Sequence, residues 1–240
     1  MIEFNNITKQ FDKTKVLKGL TFTVEKGDIY AFLGPNGSGK TTAIRILLGL
    51  LSADSGTALI QGKQYSYNMS DKIGYLPEER GLYLDSRVLE TMVYIGQMKG
   101  MKYFDAKESA EKYLERVGLA DKAQLEIKKL SSGQQQKIQL GITVINRPQI
   151  VILDEPTKGL DPLNQDLMIN YIKELNDAGS TILFSTHQMV EAEEIAQKIL
   201  IIKDGKVGVE GKIDEVKRNY KGKSLHDIFI TIQNSNESEK

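Results

Sequence analysis

Eight consecutive residues have the spacing of a phosphate-binding loop. They are Gly34, Pro35, Asn36, Gly37, Ser38, Gly39, Lys40 and Thr41, and they match the pattern G-x-x-x-x-G-K-[ST] at every fixed position. The segment 28–33 predicts a strand before the loop, and a helix that includes Thr42 is predicted after it. A helix N-terminus directs backbone N–H groups and the positive end of its dipole at an anion. The loop therefore predicts binding of a nucleoside triphosphate, with Lys40 on the terminal phosphates and Thr41 on Mg²⁺.

A pair of carboxylates ends a second apolar segment. Residues 150–153 are all aliphatic, and Asp154 and Glu155 follow them. A strand of this kind places Asp154 at the carboxyl edge of a parallel sheet, where it can hold Mg²⁺, and places Glu155 where a water would attack. An acidic N-cap or turn is the structural alternative. The phosphate loop alone leaves GTPases, kinases, helicases and transport ATPases open, and this carboxylate pair narrows the choice.

A third segment predicts another helix N-terminus with an exposed hydroxyl. Ser131 and Gly133 open a predicted helix over 131–145 and, taken alone, are better explained as a helix cap. Beside the loop and the carboxylate pair, however, residues 130–137 resemble the signature of ATP-binding-cassette (ABC) ATPases, usually Leu-Ser-Gly-Gly-Gln. Ser132 stands where this family usually has Gly. The resemblance implies that Ser131, Gly133 and Gln134 contact ATP.

The resemblance extends along the chain to about residue 230. Residues 159–161 are similar to the D-loop of the family, with Lys158 where a small residue is common, and residues 185–187 are similar to its switch motif. The resemblance implies that Asp161 lies at the nucleotide. It also implies that His187 donates a hydrogen bond to the γ-phosphate and orients the attacking water.

Two further positions leave alternatives open. Phe11 lies where the family places an aromatic residue that stacks on adenine, although a core or hairpin phenylalanine is the alternative; ATP rather than GTP rests on the resemblance. Glu78 stands where the family usually has a Gln that contacts Mg²⁺ and senses the membrane subunit. A carboxylate ligates Mg²⁺ at least as well as an amide does. A solvated loop acid is the alternative for Glu78. The string 76–83 looks like the bacterial and archaeal exporter subclass that includes sodium-efflux and drug- or peptide-efflux ATPases.

Composition excludes several classes of site and partner. The chain has no Cys, which excludes disulfides, iron–sulfur ligation and thiolate zinc sites, and its two histidines are too few for a histidine metal site. Lys+Arg and Asp+Glu both count 32, which argues against nucleic-acid binding through a basic face. The N-terminus lacks signal-peptide features, and no apolar stretch approaches the ~18–20 residues of a membrane span. We expect a chain that does not insert into the membrane and that has a membrane role only through a partner.

Strand-like and helix-like segments alternate as α/β architecture requires. We predict the α/β fold of a P-loop NTPase (RecA-like), with a parallel-sheet core and an N-terminal antiparallel β region. We expect one ABC ATPase domain over 1–230, made of a core (1–77 and 146–230) and a helical subdomain (78–145), and a disordered tail over 231–240.

The resemblance implies an ATPase that works as a head-to-tail dimer, in which the signature of one subunit completes the ATP site of the other. The leading hypothesis is the ATP-hydrolysing subunit of a membrane transporter, with an exporter favoured. A homodimer or heterodimer of ATPase subunits would act with a transmembrane permease subunit at the cytoplasmic face.

Two rival functions and one docking surface complete the sequence-based expectations. A soluble ABC ATPase in an assembly role, such as iron–sulfur cluster assembly, stays open. A non-hydrolysing module is disfavoured by Glu155 and His187. We further predict a solvent-facing depression bordered by residues 78–100, formed by Tyr83 and the side of the helix with Tyr94 and Met98, that receives a short helix of the permease.

Overall fold

The computed structural model describes residues 1–79 and 81–235. The strands are β1 (Ile2–Phe11), β2 (Thr14–Val24), β3 (Ile29–Leu33), β4 (Ser55–Ile60), β5 (Ile73–Leu76), β6 (Ile150–Asp154), β7 (Thr181–Thr186), β8 (Lys198–Lys203) and β9 (Lys206–Lys212). The helices are α1 (Lys40–Leu47), α2 (Val88–Met98), α3 (Tyr103–Arg116), α4 (Ser132–Val144), α5 (Pro162–Asp177), α6 (Met189–Ile195), α7 (Ile213–Asn219) and α8 (Leu225–Asn234). The chain divides into two compact units, Met1–Ser66 with Thr181–Lys240, and Tyr67–Ser180.

The first unit contains an antiparallel sheet and a mostly parallel one. β1 pairs with β2 on one side and with β4 on the other, all antiparallel. β3 lies between β7 and β8 and is parallel to both, while β9 returns antiparallel to β8. Every residue of β3 and β7 is buried, as expected of strands covered on both faces. Phe22 of β2 lies against Tyr30 and Phe32 of β3, with ring centroids 5.6 and 5.4 Å apart.

The second unit combines two parallel strands with helices α2 to α5. β5 and β6 pair in register from Ile73 with Ile150 to Leu76 with Leu153. α2, α3 and α4 enclose an apolar core that includes Met92, Tyr113 and Ile138. Gly141 of α4 is required by this packing, because a Cβ there would lie 2.3 Å from Cε1 of Tyr113. Within the described residues, no helix combines the length and the apolar character needed to cross a bilayer.

The two units differ from the predicted division into core and insert. β5, β6 and α5 belong to the same unit as the helices of 78–145. The physical reason is that β5 packs directly on α4: the Thr143 hydroxyl donates to the Tyr75 carbonyl at 3.3 Å, and a Cβ on Gly74 would lie 2.6 Å from the Thr143 carbonyl oxygen.

The predicted disordered tail over 231–240 is wrong for its first residues. α8 continues to Asn234, since Leu225, Ile228 and Ile232 form a buried stripe at helical spacing that extends into the predicted tail. Gln233 also donates from Nε2 to the Ile202 carbonyl at 3.2 Å. Residues 236–240 lie outside the described residues.

Candidate nucleotide site

The predicted phosphate loop connects β3 to α1, and two of its glycines are required by their neighbours. A Cβ on Gly34 would lie 2.4 Å from Cγ2 of Ile202 and 2.6 Å from Oγ of Ser38. Gly39 has φ +104°, a left-handed conformation that favours glycine, and a Cβ there would lie 2.7 Å from Cδ2 of Leu17. The loop is therefore held against β2 and β8 by contacts that exclude any side chain at these positions.

Lys40 lies over the loop that precedes it. Its side chain is buried, and Nζ donates to the Gly34 carbonyl at 2.8 Å and to the Pro35 carbonyl at 3.3 Å. Thr41 and Thr42 lie in the first turn of α1, where Thr41 is partly exposed and Gly39 as N-cap supplies no side-chain acceptor. A cation and a helix N-terminus at one loop are the elements that bind phosphate.

Ser38 adds an unsatisfied polar atom to the same loop. Its Oγ is buried and has no hydrogen-bond partner among the residues that the structure describes. Buried polar atoms without partners are uncommon and often occur where a ligand binds. Together with Lys40, this hydroxyl fits a phosphate group in the loop.

The structure brings His187 to the edge of the sheet that carries the phosphate loop. β3 and β7 are parallel neighbours, and Leu33 pairs with Thr186 at their last residues. Gly34 and His187 therefore leave adjacent strands at the same level, and His187 is exposed. This arrangement agrees with the predicted placement of His187, whereas its contact with a γ-phosphate stays a prediction.

Phe11 lies at the end of β1, where β1 and β2 form a hairpin. Its side chain is 43% exposed, so it is a hairpin residue and not a core residue. The ammonium of Lys9 lies 5.4 Å from the ring centroid, and Asp54 holds Lys9 through a 3.1 Å ion pair. This exposed ring lies opposite Thr14, the first residue of the strand that contacts Gly39, and is available for stacking on a base.

Asp154 and Glu155 end β6 in the second unit. Asp154 is fully buried, and Glu155 is nearly so. Glu155 also has φ 53°, a left-handed conformation that is uncommon for residues other than glycine and that recurs at functional sites. Because β5 and β6 are parallel and in register, Glu78 follows β5 at the same edge from which Glu155 leaves.

Glu78 forms an ion pair that the sequence does not predict. Its Oε1 lies 2.6 Å from Nζ of Lys158. The hydrogen bond and charge of Glu78 raise the pKa of Lys158, and the carboxylates of Glu155 and Asp154 act in the same direction. The ion pair gives Glu78 a partner at the partly exposed surface, where a solvated loop acid is still an alternative, and its contact with Mg²⁺ stays a prediction.

The signature residues form a capping box at the start of α4. The Ser131 hydroxyl accepts from the Gln134 N–H at 3.3 Å, and Oε1 of Gln134 accepts from the Ser131 N–H at 2.9 Å. Gly133 contacts its neighbours only at ordinary distances, with a Cβ there 3.6 Å from Cδ2 of Leu160. Asp161 caps α5 by accepting from the Asn164 N–H at 3.0 Å. These residues therefore have structural roles as caps, and their contacts with ATP stay predictions.

Two buried glutamines of α4 join this region, and sequence reasoning missed them. Nε2 of Gln136 donates to the Pro156 carbonyl at 3.1 Å, and Nε2 of Gln139 donates to the carbonyls of Pro77 and Glu79 at 3.4 and 3.3 Å. The signal that could have found them is the presence of polar residues on the buried face of a helix.

A depression lies within the predicted range 78–100 and includes Tyr83 and Tyr94, whereas the predicted Met98 is not among its lining residues. It has a volume of about 260 Å³ and is lined by Tyr83, Ser86, Glu90, Thr91 and Tyr94. Tyr83 is 59% exposed, Tyr94 is 54% exposed, and Met98 is also exposed. These side chains are therefore not packed into the apolar core between the helices. A larger cavity of about 450 Å³ lies among α3, α4 and α5 and contains none of the predicted site residues.

Comparisons with known sequences agree with these features. The family model described as ABC transporter matches residues 17–158. The chain is 40% identical to the uncharacterized ABC transporter ATP-binding protein YhaQ of Bacillus subtilis (strain 168), over 94% of this chain and 76% of that protein. It is 32% identical to the linearmycin resistance ATP-binding protein LnrL of the same organism, over 99% of this chain and 77% of that protein.

Solved structures share the fold. An ATP-binding subunit of an ABC transporter has a TM-score of 0.89 at 26% identity, covering 97% of this chain and 99% of that one. A dimeric ATP-binding cassette, MJ0796, in a post-hydrolysis state with ADP and Pi, has a TM-score of 0.80 at 26% identity, covering 89% and 99%. The predicted α/β P-loop NTPase fold is thus confirmed. This chain belongs to the ABC transporter family, as an ATP-binding subunit with the ATPase activity of that family.

Proposed function

We propose that this subunit powers export across a membrane by ATP-driven closure of a head-to-tail dimer. The observation that carries the proposal is the phosphate loop with its buried Lys40, beside His187 at one sheet edge. Export is supported by the similarity to the linearmycin resistance protein and by the string 76–83. Dimerisation is supported by the similarity to a cassette solved as a dimer.

Each predicted site residue has a role in this proposal. Lys40 and the backbone of the loop bind the phosphates, and Phe11 stacks on the base. Glu155 accepts a proton from the attacking water, and His187 orients that water and contacts the γ-phosphate. Ser131 of the partner subunit, which has the same sequence in a homodimer, completes the site.

The donor set fits Mg²⁺, although the described residues contain no cluster of three or more His, Asp or Glu side chains. In this proposal Thr41 would supply a hydroxyl, and Asp154 and Glu78 would supply carboxylates, which are the hard oxygen ligands that Mg²⁺ prefers. Asp154 is fully buried, a position in which a carboxylate requires a cation or hydrogen bonds. Bound Mg²⁺ would neutralise charge on the phosphates.

The depression lined by Tyr83 and Tyr94 is proposed to receive the permease. Exposed aromatic side chains, with the exposed Met98 one helical turn from Tyr94 on α2, would form an adaptable surface for a short amphipathic helix. Through this contact the subunit would lie at the cytoplasmic face of the membrane without entering it. The loop after β5, with Glu78, is next to this surface along the chain.

The test is Glu155→Gln, which keeps the shape of the side chain and removes the base. We expect ATP binding to persist while turnover falls by roughly 10²–10⁴-fold, the usual contribution of general base catalysis. Phosphate release measures turnover, and size-exclusion chromatography with ATP measures the dimer, which should accumulate. Turnover within a few-fold of wild type would refute the role of Glu155.

A further inference from the structure

Two residues that depart from the usual family pattern form an ion pair with each other. Glu78 stands where a Gln is usual, and Lys158 stands where a small residue is common. Their Nζ and Oε1 atoms lie 2.6 Å apart, although the residues are separated by 80 positions. Both side chains are partly exposed, at 35% for Glu78 and 54% for Lys158.

The ion pair joins two loops that leave the sheet side by side. Glu78 is two residues beyond the end of β5, and Lys158 lies in the turn after β6. The Lys158 N–H also donates to the Glu155 carbonyl at 3.2 Å, so the same residue holds the turn closed at the proposed base. The side chain of Lys158 therefore contacts the loop after β5, while its backbone belongs to the turn that begins at Glu155.

The buried side of the same two loops is held by α4. Gln139 donates to carbonyls on either side of Glu78, and Gln136 donates to the Pro156 carbonyl next to Glu155. Since Ser131 caps the start of α4, one helix connects the signature motif to both loops. The ion pair closes this network on its solvent side.

The two departures carry opposite charges. Glu78 adds one negative charge where an amide is neutral, and Lys158 adds one positive charge within hydrogen-bond distance of it. We propose that Lys158 is a positioning residue: it holds the Glu78 carboxylate against the turn that carries Glu155 and offsets its charge. This inference rests on the proposed role of Glu155.

A double-mutant cycle tests the coupling. The variants are Lys158→Met, Glu78→Gln and the double variant, with kcat and KM for ATP measured for each. We expect each single variant to lower kcat about two- to fivefold, the range that corresponds to measured couplings of exposed ion pairs. The double variant should be more active than the product of the two single effects predicts, and Lys158→Arg should stay near wild type.

A matched control separates positioning from a general loss of charge. Lys112 and Glu108 also form an exposed 2.6 Å ion pair in the same unit, outside the proposed site. Lys112→Met should leave kcat unchanged, and thermal unfolding should show that all variants are folded. A KM for ATP that changes less than kcat would further support positioning.

Two outcomes would overturn the inference. One is a double variant whose kcat equals the product of the two single effects, and the other is Lys158→Met with wild-type kcat. Either result would leave the proposed function intact, provided that the wild-type protein turns over ATP normally and Glu155→Gln is inactive. Absence of turnover in the wild-type protein would refute the proposed function as well.

Discussion

We predict that Lys99 makes the stability of the protein depend on pH. Its ammonium follows α2 and donates to the carbonyls of Ile73 and Thr143 at 3.2 and 3.3 Å, so it connects α2 to β5 and α4. Burial lowers the pKa of Lys99 from 10.5 to about 8, and the charge of Asp71 opposes this change only in part. The folded protein therefore releases this proton more easily than the unfolded chain does.

The sign and size of the effect follow from linkage. Between the two pKa values the unfolded chain binds more protons at Lys99, so the free energy of unfolding rises with pH. The full difference between a pKa of 10.5 and one of about 8 corresponds to at most about 3.4 kcal/mol. Between about pH 7 and about pH 9, the free energy of unfolding should rise by about 1 kcal/mol of this total. Contact of the Lys99 side chain with solvent makes this increase smaller.

The assay compares wild type with Lys99→Met by urea unfolding at both pH values. The comparison uses the change in the free energy of unfolding with pH and not its absolute value. Lys99→Met also removes the hydrogen bonds to the carbonyls of Ile73 and Thr143, which changes the absolute value at every pH. Lys102→Met is the control, since it removes a charge from an exposed lysine three residues away. We expect wild type and Lys102→Met to gain stability on going to the higher pH by about 1 kcal/mol more than Lys99→Met does.

The reasoning would be refuted by equal pH dependence in wild type and Lys99→Met. Other groups that titrate in this interval are the same in both proteins, so their contributions cancel in the comparison. Equal slopes would mean that the ammonium of Lys99 is as well solvated in the folded protein as in the unfolded chain.

Three further changes test the proposed site. Lys40→Ala should weaken binding of a labelled ATP analogue by roughly tenfold or more, because a charge-assisted hydrogen bond to phosphate is worth about 1.5–3 kcal/mol; unchanged affinity in an equilibrium titration would contradict the role of the loop. Ser131→Arg should permit ATP binding by the monomer but prevent ATP-dependent dimerisation, and mixed with Lys40→Ala it should give at most one functional site per dimer; full ATPase activity of both single variants would exclude a composite site. Tyr94→Glu, at an exposed position in the depression, should leave basal ATPase activity intact and weaken co-purification with the permease, and a variant that assembles normally would remove the case for docking there.

Local chemistry was readable from the sequence because it lies in contiguous residues. The loop ending in Lys40 and Thr41, the aliphatic run before Asp154, and the cap at Ser131 each combine a motif with the element that must present it. Their strands and helices formed as predicted, since buried parallel strands and helix caps depend on near neighbours in the chain.

The conformation of Glu155 could not be predicted from its residue type. Its φ of 53° is uncommon for glutamate and depends on the turn between β6 and α5. Similarly, the predicted tail begins too early, because the last turn of α8 depends on packing against β8 that the local sequence does not specify.

The sequence by itself thus determined a nucleotide-binding ATPase of the ABC type, because the phosphate loop, the carboxylate pair and the signature are local patterns that rarely occur together in one chain by chance. Tertiary structure alone decided which distant residues meet. The register of β3 with β7 brings His187 to the phosphate loop, and the register of β5 with β6 brings Glu78 to Lys158. Such meetings depend on which strands become neighbours and on how they align, and that is decided by packing across the whole unit and not by the residues adjacent in the chain.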